Sequence, residues 1–117
     1  MKSKKILYAD DSYEWRIKAG QYFKRHPNFL VEISEDADSA VEKTRSFKPD
    51  LVILDELQNE CFRVIESIRE FYKGPVVIYT GDLQILQQAE KIGVSSYKKI
   101  GGNNKSSLDA LIIENLK

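Results

Sequence analysis

The chain has 117 residues, 42% of them apolar, with 18 Lys plus Arg against 18 Asp plus Glu. That is enough apolar material for one core, and it sets the expectation of a single domain over residues 1–117. The neutral balance excludes the basic footprint of a nucleic-acid binder or of a protein held to an anionic membrane surface, and no apolar run approaches transmembrane length.

The basic start, Met1-Lys2-Ser3-Lys4-Lys5, leads into an apolar run that Asp10-Asp11 interrupts, which is not the pattern of a signal peptide. Cys61 is the sole cysteine, so no intrachain disulfide forms and a cytoplasmic location is expected. The lone His26 is remote from Cys61 in sequence, and Cys61 reads as a small core or loop residue rather than a nucleophile.

Short apolar runs alternate with amphipathic stretches, the signature of a parallel sheet with crossover helices. Residues 5–9 read as the first strand. The stretch from Ser12 to His26 carries Trp15, Ala19, Tyr22 and Phe23 at helical spacing, with Ser12 or Asp11 as its cap and Pro27 closing it. Leu30 to Ser34 is a second strand. Residues 38–47 form a second helix, with Ser39-Ala40-Val41-Glu42 fitting a capping box and Ala37, Ala40, Val41, Thr44 and Phe47 on one face.

Leu51-Val52-Ile53-Leu54 is a strand buried on both faces, and Asp55 stands at its tip. A third helix runs from about Cys61 to Tyr72, stopped by Gly74-Pro75. Val76-Val77-Ile78-Tyr79 is a fourth strand ending in Thr80-Gly81. Asp82 caps a fourth helix bearing Leu83, Leu86 and Ala89, and Gly93 ends it. Ser96 to Ile100 is a short fifth strand, Gly101-Gly102-Asn103-Asn104 a loop, and Ser106-Ser107-Leu108-Asp109 a capping box for a last helix with Leu108, Leu111, Ile112 and Leu116 on its apolar face.

Two of these strands end in acid: Ala9 is followed by Asp10-Asp11 and Leu54 by Asp55. The C-terminal edge of an open parallel sheet is where ligands and chemistry sit. If the strands are neighbours, three carboxylates meet in one small volume. Two like charges about 5 Å apart repel by roughly 3 kcal/mol at an effective dielectric near 20. Relief comes from protonation or from a hard, oxygen-seeking divalent cation such as Mg²⁺. Asp55 could then act as a nucleophile toward phosphorus and form an acyl phosphate.

Together, Lys4-Lys5-Ile6-Leu7-Tyr8-Ala9-Asp10-Asp11-Ser12, Lys48-Pro49-Asp50-Leu51-Val52-Ile53-Leu54-Asp55 and Pro75-Val76-Val77-Ile78-Tyr79-Thr80-Gly81 resemble a response-regulator receiver domain of the CheY-like family. The resemblance covers essentially the whole chain, and the 44 positions from Asp11 to Asp55 agree with the family pattern. It implies an α/β fold: a doubly wound, five-stranded parallel sheet of order 2-1-3-4-5, flavodoxin-like (βα)5. It implies Asp55 as phosphoacceptor, and Asp10 and Asp11 as the acidic pair for Mg²⁺, with Asp11 the more direct ligand. The Leu57 carbonyl would be a further metal ligand. Thr80 would be the hydroxyl residue that moves toward the phosphoryl group, and Tyr97 the aromatic whose rotamer follows.

The implied partners are a sensor histidine kinase or phosphotransfer protein and an unknown downstream protein. No nucleic acid or membrane partner is expected, and the chain would be a monomer or weak dimer. Catalysis would extend at most to self-phosphorylation and autodephosphorylation. No output domain follows the last helix in this sequence, so the expectation is that the signal leaves through a protein contact, as with stand-alone receivers, or that the chain is an excised piece of a longer protein.

Three departures from the family pattern stand out. The usual Lys-Pro after the aromatic is replaced by Ile100-Gly101, with Lys98 and Lys99 just before it. Alternation along a strand decides which lysine faces the site, and Lys99 is the candidate, with Lys98 the alternative. The loop Glu56-Leu57-Gln58-Asn59-Glu60 lacks the usual Met-Pro and following Gly, is shortened, and adds the Glu56 carboxylate. The segment between Thr80 and Tyr97 is short, which trims the fourth helix.

Those departures keep two other readings in view. One is a degenerate receiver acting as a phosphorylation-independent interaction module. The other is a small Mg²⁺-dependent aspartyl phosphohydrolase, against which stands Leu57 where a second acid is needed. Trp15 reads as a core residue and His26 as a surface or cap residue.

Overall fold

The computed structural model describes residues 3–99 and 105–116. Five parallel strands form one sheet in the order β2-β1-β3-β4-β5: β1 (Lys4–Ala9), β2 (Phe29–Ser34), β3 (Leu51–Leu54), β4 (Val76–Thr80) and β5 (Ser96–Lys98). They alternate with five helices: α1 (Tyr13–Lys24), α2 (Ala37–Phe47), α3 (Cys61–Ile68), α4 (Leu83–Lys91) and α5 (Lys105–Asn115). This is the doubly wound, flavodoxin-like (βα)5 arrangement expected from the alternation of runs.

Side-chain alternation along the strands divides the core in two. Leu7, Ala9, Val52, Leu54 and Ile78 face the side covered by α2, α3 and α4, where they meet Ala40, Val64, Ile68, Ile85 and Ala89. Ile6, Tyr8, Leu51, Ile53, Val77 and Tyr79 face the other side, against Ala19, Tyr22 and Phe23 of α1 and Leu108, Leu111 and Ile112 of α5. Because β1 and β3 have helices on both faces, their residues Ile6–Ala9 and Leu51–Leu54 are fully buried.

Several boundaries differ from those the sequence suggests. α2 begins at Ala37, and its cap is Asp36, whose carboxylate accepts the Ser39 amide at 2.8 Å. The box beginning at Ser39 therefore lies inside the helix. α3 stops at Ile68 rather than near Tyr72. Both the Phe71 and Tyr72 amides converge on the Ile68 carbonyl, and the Tyr72 hydroxyl donates to the Pro75 carbonyl. The Tyr72 ring thereby lies across Gly74, where a Cβ would run into it. α1 ends at Lys24, two residues before His26, which donates from Nδ1 to the Tyr22 carbonyl and stacks on the Tyr22 ring at the helix end.

Other expectations hold. Ser12 caps α1 by accepting the Trp15 amide, and Asp82 caps α4 by accepting the Gln84 and Ile85 amides. Gly93, at φ +77°, turns the chain out of α4 into the approach to β5. β5 ends at Lys98, and α5 already includes Lys105, ahead of the box at Ser106. Ile100 and the loop Gly101–Asn104 lie outside the described residues. Among the described residues, no helix is long and apolar enough to cross a membrane.

Candidate functional site

The register of the sheet brings the acids together. Ala9 pairs with Leu54, so Asp10 and Asp55 leave adjoining strands at the same level. The Asp55 amide donates to the Ala9 carbonyl at 2.8 Å, and the Asp10 amide to the Ser34 carbonyl at 3.0 Å, which fixes both backbones as extensions of the ladder. One carboxylate oxygen each from Asp10, Asp11 and Asp55 lies within 4.8 Å of the others. Asp10 is fully buried and Asp55 nearly so, while Asp11 is exposed.

Lys99 supplies the compensating charge. Its amide continues the β4–β5 ladder by donating to the Thr80 carbonyl at 2.9 Å, and its ammonium reaches Asp10 Oδ2 at 2.6 Å and Asp55 Oδ1 at 2.8 Å. Lys98 pairs with Thr80 in the sheet and its side chain is exposed. The Lys99 ammonium also lies 4.6 Å from the Trp15 ring centroid and 5.7 Å from that of Tyr79. These rings exclude water from one side of the ion pair and add a cation–π attraction.

Asp10 is the most enclosed member. Its Oδ2 accepts from the Tyr8 hydroxyl at 2.9 Å as well as from Lys99, and its Oδ1 accepts the Ser12 amide at 2.9 Å. Burial pushes the Asp10 carboxyl above the ordinary range, Lys99 pulls it down and Asp55 raises it again. For Asp11, burial and then hydrogen bonding to Asp55 raise the carboxyl. Asp55 also accepts the Leu57 amide on Oδ2 at 3.3 Å.

Asp10, Asp11 and Asp55 line a cleft of about 410 Å³ together with Ser12, Trp15, Glu56, Thr80, Gly81 and Asp82. Glu56 is raised by burial, then by a side-chain hydrogen bond to Asp82 and the nearby Asp55. Thr80 is buried, and its hydroxyl accepts the Asp82 amide at 3.1 Å. Tyr97 stands beside Tyr79 in the ladder, and its hydroxyl donates to Glu114 at 2.6 Å and accepts from Asn115.

After Asp55 the chain makes an uncommon turn. Leu57, Gln58 and Asn59 all have left-handed φ, at 52°, 54° and 69°. The Glu60 amide donates to the Leu57 carbonyl at 3.0 Å, and the Cys61 amide to the Glu56 carbonyl at 3.1 Å. The Leu57 side chain is buried against the α2–α3–α4 side of the core. The Leu57 carbonyl thus already carries one hydrogen bond where the resemblance implies a metal ligand.

The donor set fits a hard divalent cation. It is all oxygen, it carries three adjacent carboxyl groups, and two of those groups, Asp10 and Asp11, are raised by burial and by the neighbouring Asp55. All three acids line the cleft, and Lys99 holds one oxygen each of Asp10 and Asp55.

Sequence reasoning missed three contributors. Tyr8 reads as a strand hydrophobe, although alternation places it on the same side of β1 as Asp10, two residues on, within reach of a phenol. Trp15 reads as core, although it also covers Lys99 and lines the cleft. Asp82 reads only as a helix cap, and nothing in the linear pattern pairs it with Glu56.

No protein-family model matches the chain, and no curated protein matches it closely. Solved structures do match its fold. A response-regulator signal receiver domain from Bermanella marisrubri superposes with a TM-score of 0.79 at 25% identity, covering 98% of this chain and 99% of that one. The BeF3-activated receiver domain of Klebsiella pneumoniae RstA gives 0.77 at 24% identity, covering 97% and 99%. The response regulator domain of Thermotoga maritima CheB gives 0.74 at 22%, covering 97% and 91%. The chain has the CheY-like fold of response-regulator receiver domains.

Proposed function

We propose that residues 1–117 form one phosphoacceptor receiver unit of a two-component signalling system, with Asp55 as the acceptor. The observation that supports this most is the Lys99 ammonium between Asp10 and Asp55 at 2.6 and 2.8 Å, beside a third carboxylate at the C-terminal edge of the sheet. That arrangement positions Asp55 beside an ammonium at the mouth of a cleft. It also keeps an ammonium at hand for the oxygens of an incoming phosphoryl group.

In the transfer, an Asp55 oxygen attacks the phosphorus of a phosphohistidine on a sensor kinase or phosphotransfer protein. The P–O bond forms, the P–N bond breaks, and the imidazole leaves with its electron pair and takes up a proton. Mg²⁺, held by Asp11 and Asp55 with Asp10 and the Leu57 carbonyl as further ligands, would offset charge on the phosphoryl oxygens. Lys99 turns from Asp55 to a phosphoryl oxygen. The Thr80 hydroxyl, which accepts the Asp82 amide at rest, donates to another. Thr80 sits next to Tyr79 and one strand from Tyr97, so its movement is felt by Tyr97 and, through Glu114, by α5. A protein partner reads that surface. Hydrolysis of the acyl phosphate by water resets the site.

The test is to mix the protein with Mg²⁺ and acetyl phosphate and weigh it intact. A gain of one phosphoryl group, absent with EDTA and absent in Asp55→Asn, is the expected result. No gain under any of these conditions would leave the phosphorylation-independent interaction module, which the closed hydrogen bonding of Asp10 favours.

A further inference from the structure

The chain brings a buried tyrosine hydroxyl to the acidic site, and the reaction proposed above makes no use of it. Tyr8 is 1% exposed, and its ring belongs to the α1–α5 side of the core. Its hydroxyl donates to Asp10 Oδ2 at 2.9 Å, and that same oxygen accepts Lys99 at 2.6 Å. A carboxylate oxygen has about two lone-pair positions. Both positions on Oδ2 are therefore filled by the protein, and Oδ1 accepts the Ser12 amide.

We propose that Tyr8 is a positioning residue that keeps Asp10 bound to Lys99 and withholds it from the divalent cation, so that the cation is gripped mainly by Asp11 and Asp55. The inference rests on the receiver reading of the site. Without the Tyr8 hydroxyl, Oδ2 regains an acceptor position beside the other two carboxylates. A cation can then take Asp10 as a third carboxylate without first breaking two hydrogen bonds. Tyr8 thus weakens the resting affinity for the metal. It also keeps Lys99 seated under Trp15, ready for release when charge arrives on Asp55.

The experiment measures Mn²⁺ binding by the electron paramagnetic resonance signal of the free ion, and Mg²⁺ binding by Trp15 fluorescence. Trp15 reports because the Lys99 ammonium lies 4.6 Å from its ring. Tyr8→Phe is expected to bind both ions about tenfold more tightly than the parent protein, the equivalent of one charge-assisted hydrogen bond no longer opposing the cation. The fluorescence change is expected at correspondingly lower Mg²⁺. Tyr8→Leu also lacks the hydroxyl and carries the same expectation should Tyr8→Phe fold poorly. Tyr22→Phe removes another tyrosine-to-carboxylate bond, to Asp109, seven residues along α1 from Trp15, and should leave both affinities unchanged.

Equal or weaker binding in Tyr8→Phe, or no Mn²⁺ binding by either protein, overturns the inference. Failure of the receiver reading is told apart by acetyl phosphate. If Tyr8→Phe gains affinity while neither protein takes a phosphoryl group, the positioning role stands and the receiver reading falls. If the parent protein is phosphorylated and Tyr8→Phe binds no more tightly, the reverse holds.

Discussion

Lys99 carries more of this site than any other side chain. It is the buried counter-ion of two carboxylates, and its side chain is only 7% exposed. Removing one partner from a buried ion pair strands the other, which typically destabilises by about 3–5 kcal/mol. Lys99→Ala is therefore expected to lower unfolding free energy by roughly 3 kcal/mol at pH 7. The sign of its pH dependence follows from Asp10. Without the ammonium, the Asp10 carboxyl rises further, so the folded variant binds a proton that the unfolded chain does not, and the deficit shrinks as pH falls toward 5. Urea unfolding of both proteins at pH 7 and pH 5 measures this, and a deficit independent of pH would show that Lys99 is not the partner of Asp10. Lys98→Ala, on an exposed side chain, should change stability little.

At the scale of elements, the turn between β3 and α3 is the most costly piece of backbone. Leu57, Gln58 and Asn59 are all left-handed and none is glycine. Each such residue costs about 1–2 kcal/mol, less for Asn. The turn persists because Leu57 is anchored in the core and two amide-to-carbonyl bonds close it, Glu60 to Leu57 and Cys61 to Glu56. Gln58 is exposed, so its replacement relieves strain without losing a packed side chain. Gln58→Gly is expected to stabilise by about 0.5–1 kcal/mol, the relief of strain less the extra freedom of the unfolded glycine. A fall in the thermal midpoint would mean that Gln58 holds the turn by a side-chain role. The composition of this loop was readable in the sequence, but its handedness was not, because no glycine marks it.

At the scale of the whole molecule, the sheet concentrates like charge at one edge. Asp10, Asp11 and Glu56 are all raised, each by burial first and then by neighbouring groups. A carboxyl whose folded value is raised stabilises the fold while it keeps its proton, and that stability is lost as pH climbs from about 4 through the folded values. In EDTA, unfolding free energy should therefore decline as these groups ionise. Mg²⁺ should remove most of that slope. At a concentration about 100 times its dissociation constant, it adds about 2.7 kcal/mol by binding the folded state alone. Chemical unfolding from pH 4.5 to 7.5, with EDTA and with Mg²⁺, measures both effects. Identical curves in the two conditions would argue against a cation at this edge.

The linear sequence determined the alternation of elements, the double burial of β3, and the acids at the tips of β1 and β3. Each of these is written in local periodicity: four branched residues before Asp55, four apolar residues before Asp10, and amphipathic spacing between them. Helix starts were less legible, as at α2, where Asp36 competes with Ser39 and only the backbone geometry chooses between two capping side chains. Tertiary structure alone decided which lysine enters the site, that Tyr8 closes on Asp10, and that Glu56 meets Asp82. The physical reason is that these contacts join groups on different strands and loops. Their distances depend on sheet register and chain direction at each strand end, and no local propensity encodes either.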